Sequence, residues 1–285
     1  MNNNCAICGD SRFSYLFQRD EKGYFRCDNC LVESISPQLS ELEFRCIYDD
    51  TYYNGWGSWQ AEEVRQAKIA TFKNRLNLIP IRLNSKVLDC GCAGGYFLEA
   101  AQAVGYVPYG IEINKHAVAI ARNKIPADQI HVGELEDSCF PDNSFYAVFM
   151  CDFIEHVRNP VQSLKKASYL LSPGGYLVLS TPDAGSISRR LMRENWLHYK
   201  TEHLFYFNKK NINLLLKKTG FRVLSIRKAK KCLTLDYIKS HFARHPRGKA
   251  SLLVKKLVDS LPMRFRLKPM WFSFGEMVVV AKKRN

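Results

Sequence analysis

The chain has 285 residues, 46% of them hydrophobic and 24% charged, a globular composition that excludes a disordered or fibrous protein. Its net charge of +15 is uneven: residues 201–285 hold 21 Lys+Arg against 4 Asp+Glu, whereas the first 200 hold 21 against 23. The basic third either serves an anionic partner (nucleic acid, a lipid surface or a phosphate-bearing substrate) or forms a solvated, solubilising face. No apolar run approaches the ~18 residues a spanning helix needs, and the polar start Met1-Asn2-Asn3-Asn4 does not read as a signal peptide. A cytoplasmic location is expected, where the ten cysteines stay reduced and paired spacings bind metal.

Residues 1–45 contain Cys5-x2-Cys8 and Cys27-x2-Cys30, with β-like segments at Phe13–Phe17 and Tyr24–Arg26 between them. Two such pairs put four thiolates on two knuckles, the tetrahedral set preferred by structural Zn²⁺, and leave no coordination position open for catalysis. Gly9 gives the first knuckle its turn freedom. The other six cysteines (Cys46, Cys90, Cys92, Cys139, Cys151, Cys232) read as small core residues.

Residues 46–80 read as a connector and lid helix: an aromatic, glycine-rich stretch around Tyr52-Tyr53, then Ile69, Phe72, Leu76 and Ile79 at helical spacing before Pro80. Residues 81–230 alternate strands and helices. The spacing predicts strands over 86–90, 107–111, near 130, 145–150, 176–180, 221–226 and 276–281, and helices over 96–104, 115–124, 161–171 and 209–219. Pro173-Gly174-Gly175 is expected to end the 161–171 helix, and Gly220 the 209–219 helix. Such alternation argues for an α/β, Rossmann-like doubly wound seven-stranded sheet, with the N-terminal zinc ribbon appended. Residues 231–285 carry basic helices and the final core strand.

Val87-Leu88-Asp89-Cys90-Gly91-Cys92-Ala93-Gly94-Gly95-Tyr96 reads as a buried strand, a turn of small residues and a helix start. Open α/β sheets bind ligands at such strand ends. The next strand ends in Glu112, an acid placed to accept both ribose hydroxyl hydrogens. That combination suits a dinucleotide or S-adenosylmethionine. The carboxylate of Asp89 just before the turn repels a pyrophosphate and suits a cationic ammonium and sulfonium, which favours S-adenosylmethionine.

With these motifs the chain resembles a class I S-adenosylmethionine-dependent methyltransferase of the methyltransferase-23-like bacterial group that carries an N-terminal zinc ribbon. The resemblance takes in the cysteine pairs, Tyr52-Tyr53, Val87 to Leu98, Phe140 to Phe145, Asp152-Phe153-Ile154-Glu155-His156-Val157, Leu171 to Gly175, Thr201 to Phe207 and Thr219-Gly220-Phe221. It implies that Asp89, Gly91, Ala93, Gly95 and Tyr96 hold the methionine part, that Glu112 and Ile113 hold the ribose, and that Gly133, Glu134 and Leu135, with Cys151, line the rest of the cofactor site. Ala93 stands where glycine is commoner.

A base for the acceptor's proton is expected after the fourth strand, where His156 stands near Asp152; His203 is the second candidate. His156 could instead cap or pack a helix start. Asp152, Glu155 and His156 also show i, i+3, i+4 spacing, which on a helix would gather them on one face for a divalent cation such as Mg²⁺, as the resemblance to ubiquinone-type O-methyltransferases implies. No Asn/Asp-Pro-Pro-aromatic signature of an amino-group methylase follows the strand, and Cys151 lacks the setting of a C5-methylase nucleophile.

The expected acceptor is a small molecule or glycan, such as a sugar on a nucleotide or lipid phosphate; RNA gripped by the zinc ribbon and basic face is the alternative. Residues 251–261 form an amphipathic segment with Leu253, Leu257 and Leu261 on one side. That segment packs on the sheet, caps the site or lies on an anionic membrane.

Overall fold

A computed structural model describes residues 4–47, 62–244 and 249–284; the Tyr52-Tyr53 connector lies outside them. The core is a seven-stranded sheet with the order β10-β13-β8-β7-β4-β5-β6. Its members are β4 (Lys86–Cys90), β5 (Val107–Glu112), β6 (Ile130–Val132), β7 (Phe145–Cys151), β8 (Leu171–Pro182), β10 (Phe221–Lys228) and β13 (Glu276–Lys283). Strands β6 to β8 run parallel, and β13 is antiparallel to both β8 and β10. The central strands are apolar on both faces, as helix-covered parallel strands must be.

Alternate residues divide the core into two layers. Val87, Ala147, Phe149 and Val178 pack with α2 (Glu62–Leu76), α3 (Tyr96–Val104) and α4 (Lys115–Arg122). Leu88, Val148, Met150, Leu177 and Leu179 pack with α5 (Pro160–Leu170) and α7 (Lys209–Lys218). Helix α5 has Pro160 at its first position and an Asn159 cap accepting from the Gln162 N–H. It ends at Leu170, so Pro173-Gly174-Gly175 lies inside β8, where the register with β7 shifts, rather than terminating the helix.

The N-terminal module is built from β1 (Phe13–Arg19), β2 (Lys22–Cys27) and β3 (Glu33–Ser36), followed by α1 (Glu41–Ile47). β3 pairs with β9 (Phe205–Tyr206), which joins the module to the α/β core in one four-stranded sheet. Cys5, Ile7, Tyr24, Cys27, Cys30 and Val32 share an apolar cluster with Trp196, Tyr199 and Leu204 to Phe207. The buried Glu33 carboxylate accepts from Arg189 at 2.6 Å and from the Tyr199 hydroxyl at 2.5 Å, which satisfies a charge that would be costly to bury alone.

Past β10, the two-stranded antiparallel sheet of β11 (Lys231–Leu233) and β12 (Met270–Phe272) packs on α2: the Cys232 N–H donates to Thr71 Oγ1 at 2.8 Å, and Arg75 donates to the Lys230 carbonyl at 2.9 Å. Between these strands come α8 (Leu235–Arg244), α9 (Lys249–Asp259) and α10 (Met263–Arg266). The short helix α6 (Ile187–Met192) follows β8 and is capped by Ser186.

Candidate active site

Strand order reverses between β4 and β7, and a cavity of about 710 Å³ opens there. Asp89, Gly91, Ala93, Tyr96, Glu112, Ile113, Gly133, Glu134, Leu135 and Cys151 all line it. Gly95 does not. It caps α3 at φ 80°, and a Cβ there would come within 3.1 Å of Ala121, so its smallness lets the turn lie close against α4.

The turn is held by the backbone. The Gly91 and Cys92 N–H groups donate to the Ile111 carbonyl at 2.8 and 3.0 Å. The Glu112 carboxylate accepts from the Ala93 N–H and the Asn114 N–H, each at 2.9 Å. Ala93 has φ 46°, a left-handed conformation that costs a residue with a Cβ roughly 1–2 kcal/mol. That is why glycine is at home here. Burial pushes the Asp89 carboxyl well above its ordinary value, and the Glu112 charge pushes it further. A cation between Asp89 and Glu112 would relieve this repulsion and favour the charged form of Asp89.

After β7 the chain is not helical until Pro160, close to the predicted start at 161. Asp152 to His156 form turns, and Asp152 takes φ 55° with its N–H donating to the Ser180 carbonyl at 2.9 Å. The left-handed Asp152 breaks any helical register, so Asp152, Glu155 and His156 do not share a helix face. Asp152 instead points to Lys231, whose Nζ donates to Asp152 at 2.6 Å and to Glu276 at 2.7 Å. Burial pushes the Asp152 carboxyl up, but Lys231, Arg75 and His156 together hold the group below its ordinary value. Asp152 is enclosed by protein yet open to the cavity.

His203 lies away from the first cavity and lines a second of about 240 Å³, with Glu155, His198, Lys200, Glu202, His241 and Phe242. The two cavities share Asp152, His156, Lys231, Leu233 and Tyr237. His156 and His203 meet edge to face, with ring centroids 4.6 Å apart. His156 Nδ1 is 3.0 Å from the Glu202 carbonyl; a carbonyl only accepts, so Nδ1 carries the proton and Nε2 is the basic nitrogen. Burial lowers the His156 ring from its ordinary value, and lowers His203 much further. Both rings are therefore neutral near pH 7. Ligand atoms of Glu155, His156 and His203 lie within 4.8 Å of one another, so the set that could hold a cation contains His203 in place of Asp152. Lys231, Arg75 and Tyr237, which also face the cavities, were not singled out by sequence reasoning: Lys231 stands in the basic run Arg227 to Lys231, which reads as solvated surface.

In the N-terminal module the four predicted cysteines converge. Cys5 and Cys30 sulfurs are 3.6 Å apart, those of Cys8 and Cys27 3.5 Å, and all four lie within 4.8 Å of one another. Tetrahedral Zn–S bonds of about 2.3 Å place sulfurs about 3.8 Å apart, so the cluster fits zinc. Gly9 at φ 83° and Leu31 at φ 62° turn the two knuckles.

Strand order, glycine turn and acid-ended second strand define a Rossmann-like nucleotide-binding class, and comparison with known proteins makes it an S-adenosylmethionine-dependent methyltransferase. Residues 61–226 match the family model described as Methyltransferase domain, and the chain belongs to that family. It is 30% identical over 188 residues to a ubiquinone biosynthesis O-methyltransferase of Xanthomonas campestris pv. campestris, a match spanning 58% of this chain and 77% of the relative. With another of that description, from Alkalilimnicola ehrlichii, identity is 34% over 103 residues, 34% of this chain and 41% of the relative. Among solved structures, a SAM-dependent methyltransferase from Archaeoglobus fulgidus shares the fold, with TM-score 0.57 at 18% identity over 82% of this chain and 100% of its own.

Proposed function

We propose that the chain transfers a methyl group from S-adenosylmethionine to a hydroxyl of a small molecule, a sugar or another metabolite, and that a structural zinc ion holds its N-terminal module. The observation that carries this reading is the second cavity. It meets the first at Asp152 and His156, and its few hundred Å³ suit a small acceptor. The O-methyltransferase relatives support a hydroxyl acceptor.

S-adenosylmethionine supplies a sulfonium methyl group, an electrophile that needs position more than activation. Glu112 holds the ribose hydroxyls, Asp89 faces the cationic methionine portion, and Gly91 and Ala93 let the backbone approach it. Ile113, Gly133, Glu134 and Leu135 flank the base, with Tyr96 and Cys151 completing the walls. His156 Nε2 would accept the proton that the acceptor hydroxyl gives up as its oxygen bonds the methyl carbon and the carbon–sulfur bond breaks, the thioether product leaving neutral. His203 fixes the His156 ring from the side, and Lys231 holds Asp152 at the junction of the cavities. The Glu155, His156 and His203 set favours a second reading of the same site, in which these residues grip a divalent cation such as Mg²⁺ that orients the acceptor oxygen. Loss of activity in chelator and recovery with Mg²⁺ would support it, and indifference to both removes it. RNA ranks behind a small acceptor because the second cavity offers little room for a nucleotide chain.

Labelled S-adenosylmethionine, incubated with hydroxylated aromatics, nucleotide sugars and total RNA, tests the acceptor class. Label in a small hydroxylated product is expected; label in RNA alone overturns the proposal.

A further inference from the structure

Helix α9 and the α10 turn contribute no residue to either cavity, yet they carry the most apolar exposed surface of the basic third. Val258 is buried, which fixes the side by which α9 packs on its neighbours. Leu253, Leu257 and Leu261, at i, i+4 and i+8, are 68%, 65% and 36% exposed, and Leu252, Met263 and Phe265 beside them are exposed as well. The leucine row expected to pack on the sheet thus faces water. Residues 249–268 hold six Lys/Arg against a single acid, Asp259. Lys239 of α8 already engages Asp259 at 2.7 Å, and Asp236 engages Arg266 at 2.8 Å. Lys255, Lys256, Arg264 and Lys268 remain exposed around the leucines.

A contiguous apolar row on a soluble surface marks an interaction site, and its cationic rim decides the partner. Two copies of this face would bring like charges together, which disfavours self-association. A single-stranded nucleic-acid face uses aromatic platforms, whereas this row is aliphatic. Leucines that dip to the acyl boundary while lysines meet lipid phosphates are the pattern of an interfacial helix. We propose that α9 and α10 dock the protein peripherally on an anionic lipid bilayer. None of the described helices is long and apolar enough to cross a membrane, so docking would be reversible. Helix α8, on which α9 packs, lends Tyr237, Ile238, His241 and Phe242 to the second cavity, so the docked face lies one helix away from the acceptor site. The docking itself does not depend on which acceptor is methylated.

The test is co-sedimentation of the full chain with vesicles of neutral phosphatidylcholine, or of the same lipid with about one-third phosphatidylglycerol, at low and high salt. Binding to the anionic vesicles alone, weakened by salt, is expected. Leu253→Ser with Leu257→Ser, and separately Lys255→Glu with Lys256→Glu, should each cut partitioning about tenfold or more. Their melting temperature and S-adenosylmethionine affinity should stay at wild-type values, since these side chains point outward. Equal binding to both vesicle types, no binding at low salt, or binding unaffected by both variant pairs overturns the proposal. So does an RNA interaction that the lysine variant loses and the leucine variant keeps, in the absence of vesicle binding.

Discussion

The two cavities are built in different ways. The base of the first comes from short segments at the ends of neighbouring strands: Asp89 to Ala93 at the end of β4, Glu112 and Ile113 at the end of β5, Gly133 to Asp137 after β6, Cys151 and Asp152 at the end of β7; Phe44, Lys68 to Arg75 and Lys231 to Leu233 also line it. The second draws Glu155 and His156 together with His198 to His203, Lys231 to Phe242, and Phe274 to Glu276, segments far apart in sequence. Under the proposed function, a cofactor common to many enzymes would be met largely by local backbone geometry, and the acceptor by long-range assembly. The cysteine module belongs with the second cavity, because β3 pairs with β9 just after His203.

If that division holds, zinc removal should strike the acceptor half hardest. Cys27→Ser, or chelation, is expected to destabilise the protein by on the order of 5 kcal/mol or more, read as a fall in melting temperature together with loss of one zinc per chain in elemental analysis. Full stability after the metal is stripped would show that the module does not rely on it.

His156→Ala should lower kcat by about 10²–10⁴-fold while leaving S-adenosylmethionine affinity nearly intact, a contrast that stopped-flow and calorimetry resolve. The pH profile sharpens the same point. Burial lowers the His156 pKa, so the basic form persists below the ordinary imidazole value. Activity should fall only as pH drops through that depressed value, with an acid-limb midpoint below 6.5. A midpoint above 6.5 counts against His156 as the base.

Lys231→Met leaves Asp152 and Glu276 facing each other without their shared cation. The expected loss is about 2 kcal/mol, less than for a wholly enclosed pair because Asp152 meets the cavity solvent; urea unfolding measures it. Ala93→Gly is the smallest change. Relief of the left-handed strain is partly offset by a more flexible unfolded chain, for a net gain of about 0.5 kcal/mol, and a drop in stability would refute the account of the turn.

The same contrast explains what the sequence discloses. Strands β4, β5 and β7 and helix α3 are legible because their apolar runs are long and glycines punctuate them. The cysteine pairs are legible because two knuckles need only local spacing. β9 is two residues long and exists because Phe205 and Tyr206 meet Ser34 and Glu33, a pairing across the chain that no local pattern announces. The β11–β12 pairing is hidden in the same way, and Lys231 with it. At Asp152 the local pattern misleads: the i, i+3, i+4 spacing is genuine, but the left-handed Asp152 and the Asn159 cap start the helix only at Pro160. Glu155 and His156 then meet His203 through the turn, where the Leu204 N–H donates to the Glu155 carbonyl at 2.8 Å.

The central claim is that the cavity at the ends of β4 to β7 holds S-adenosylmethionine through the Glu112 carboxylate. Titration calorimetry on wild type, Glu112→Gln and Glu112→Ala tests it most directly, with circular dichroism confirming that each variant is folded. Binding by wild type, weaker binding by Glu112→Gln and about a hundredfold loss or more in Glu112→Ala are predicted, since a charged hydrogen-bond acceptor to two hydroxyls is removed. Unchanged affinity in a folded Glu112→Ala would contradict the account.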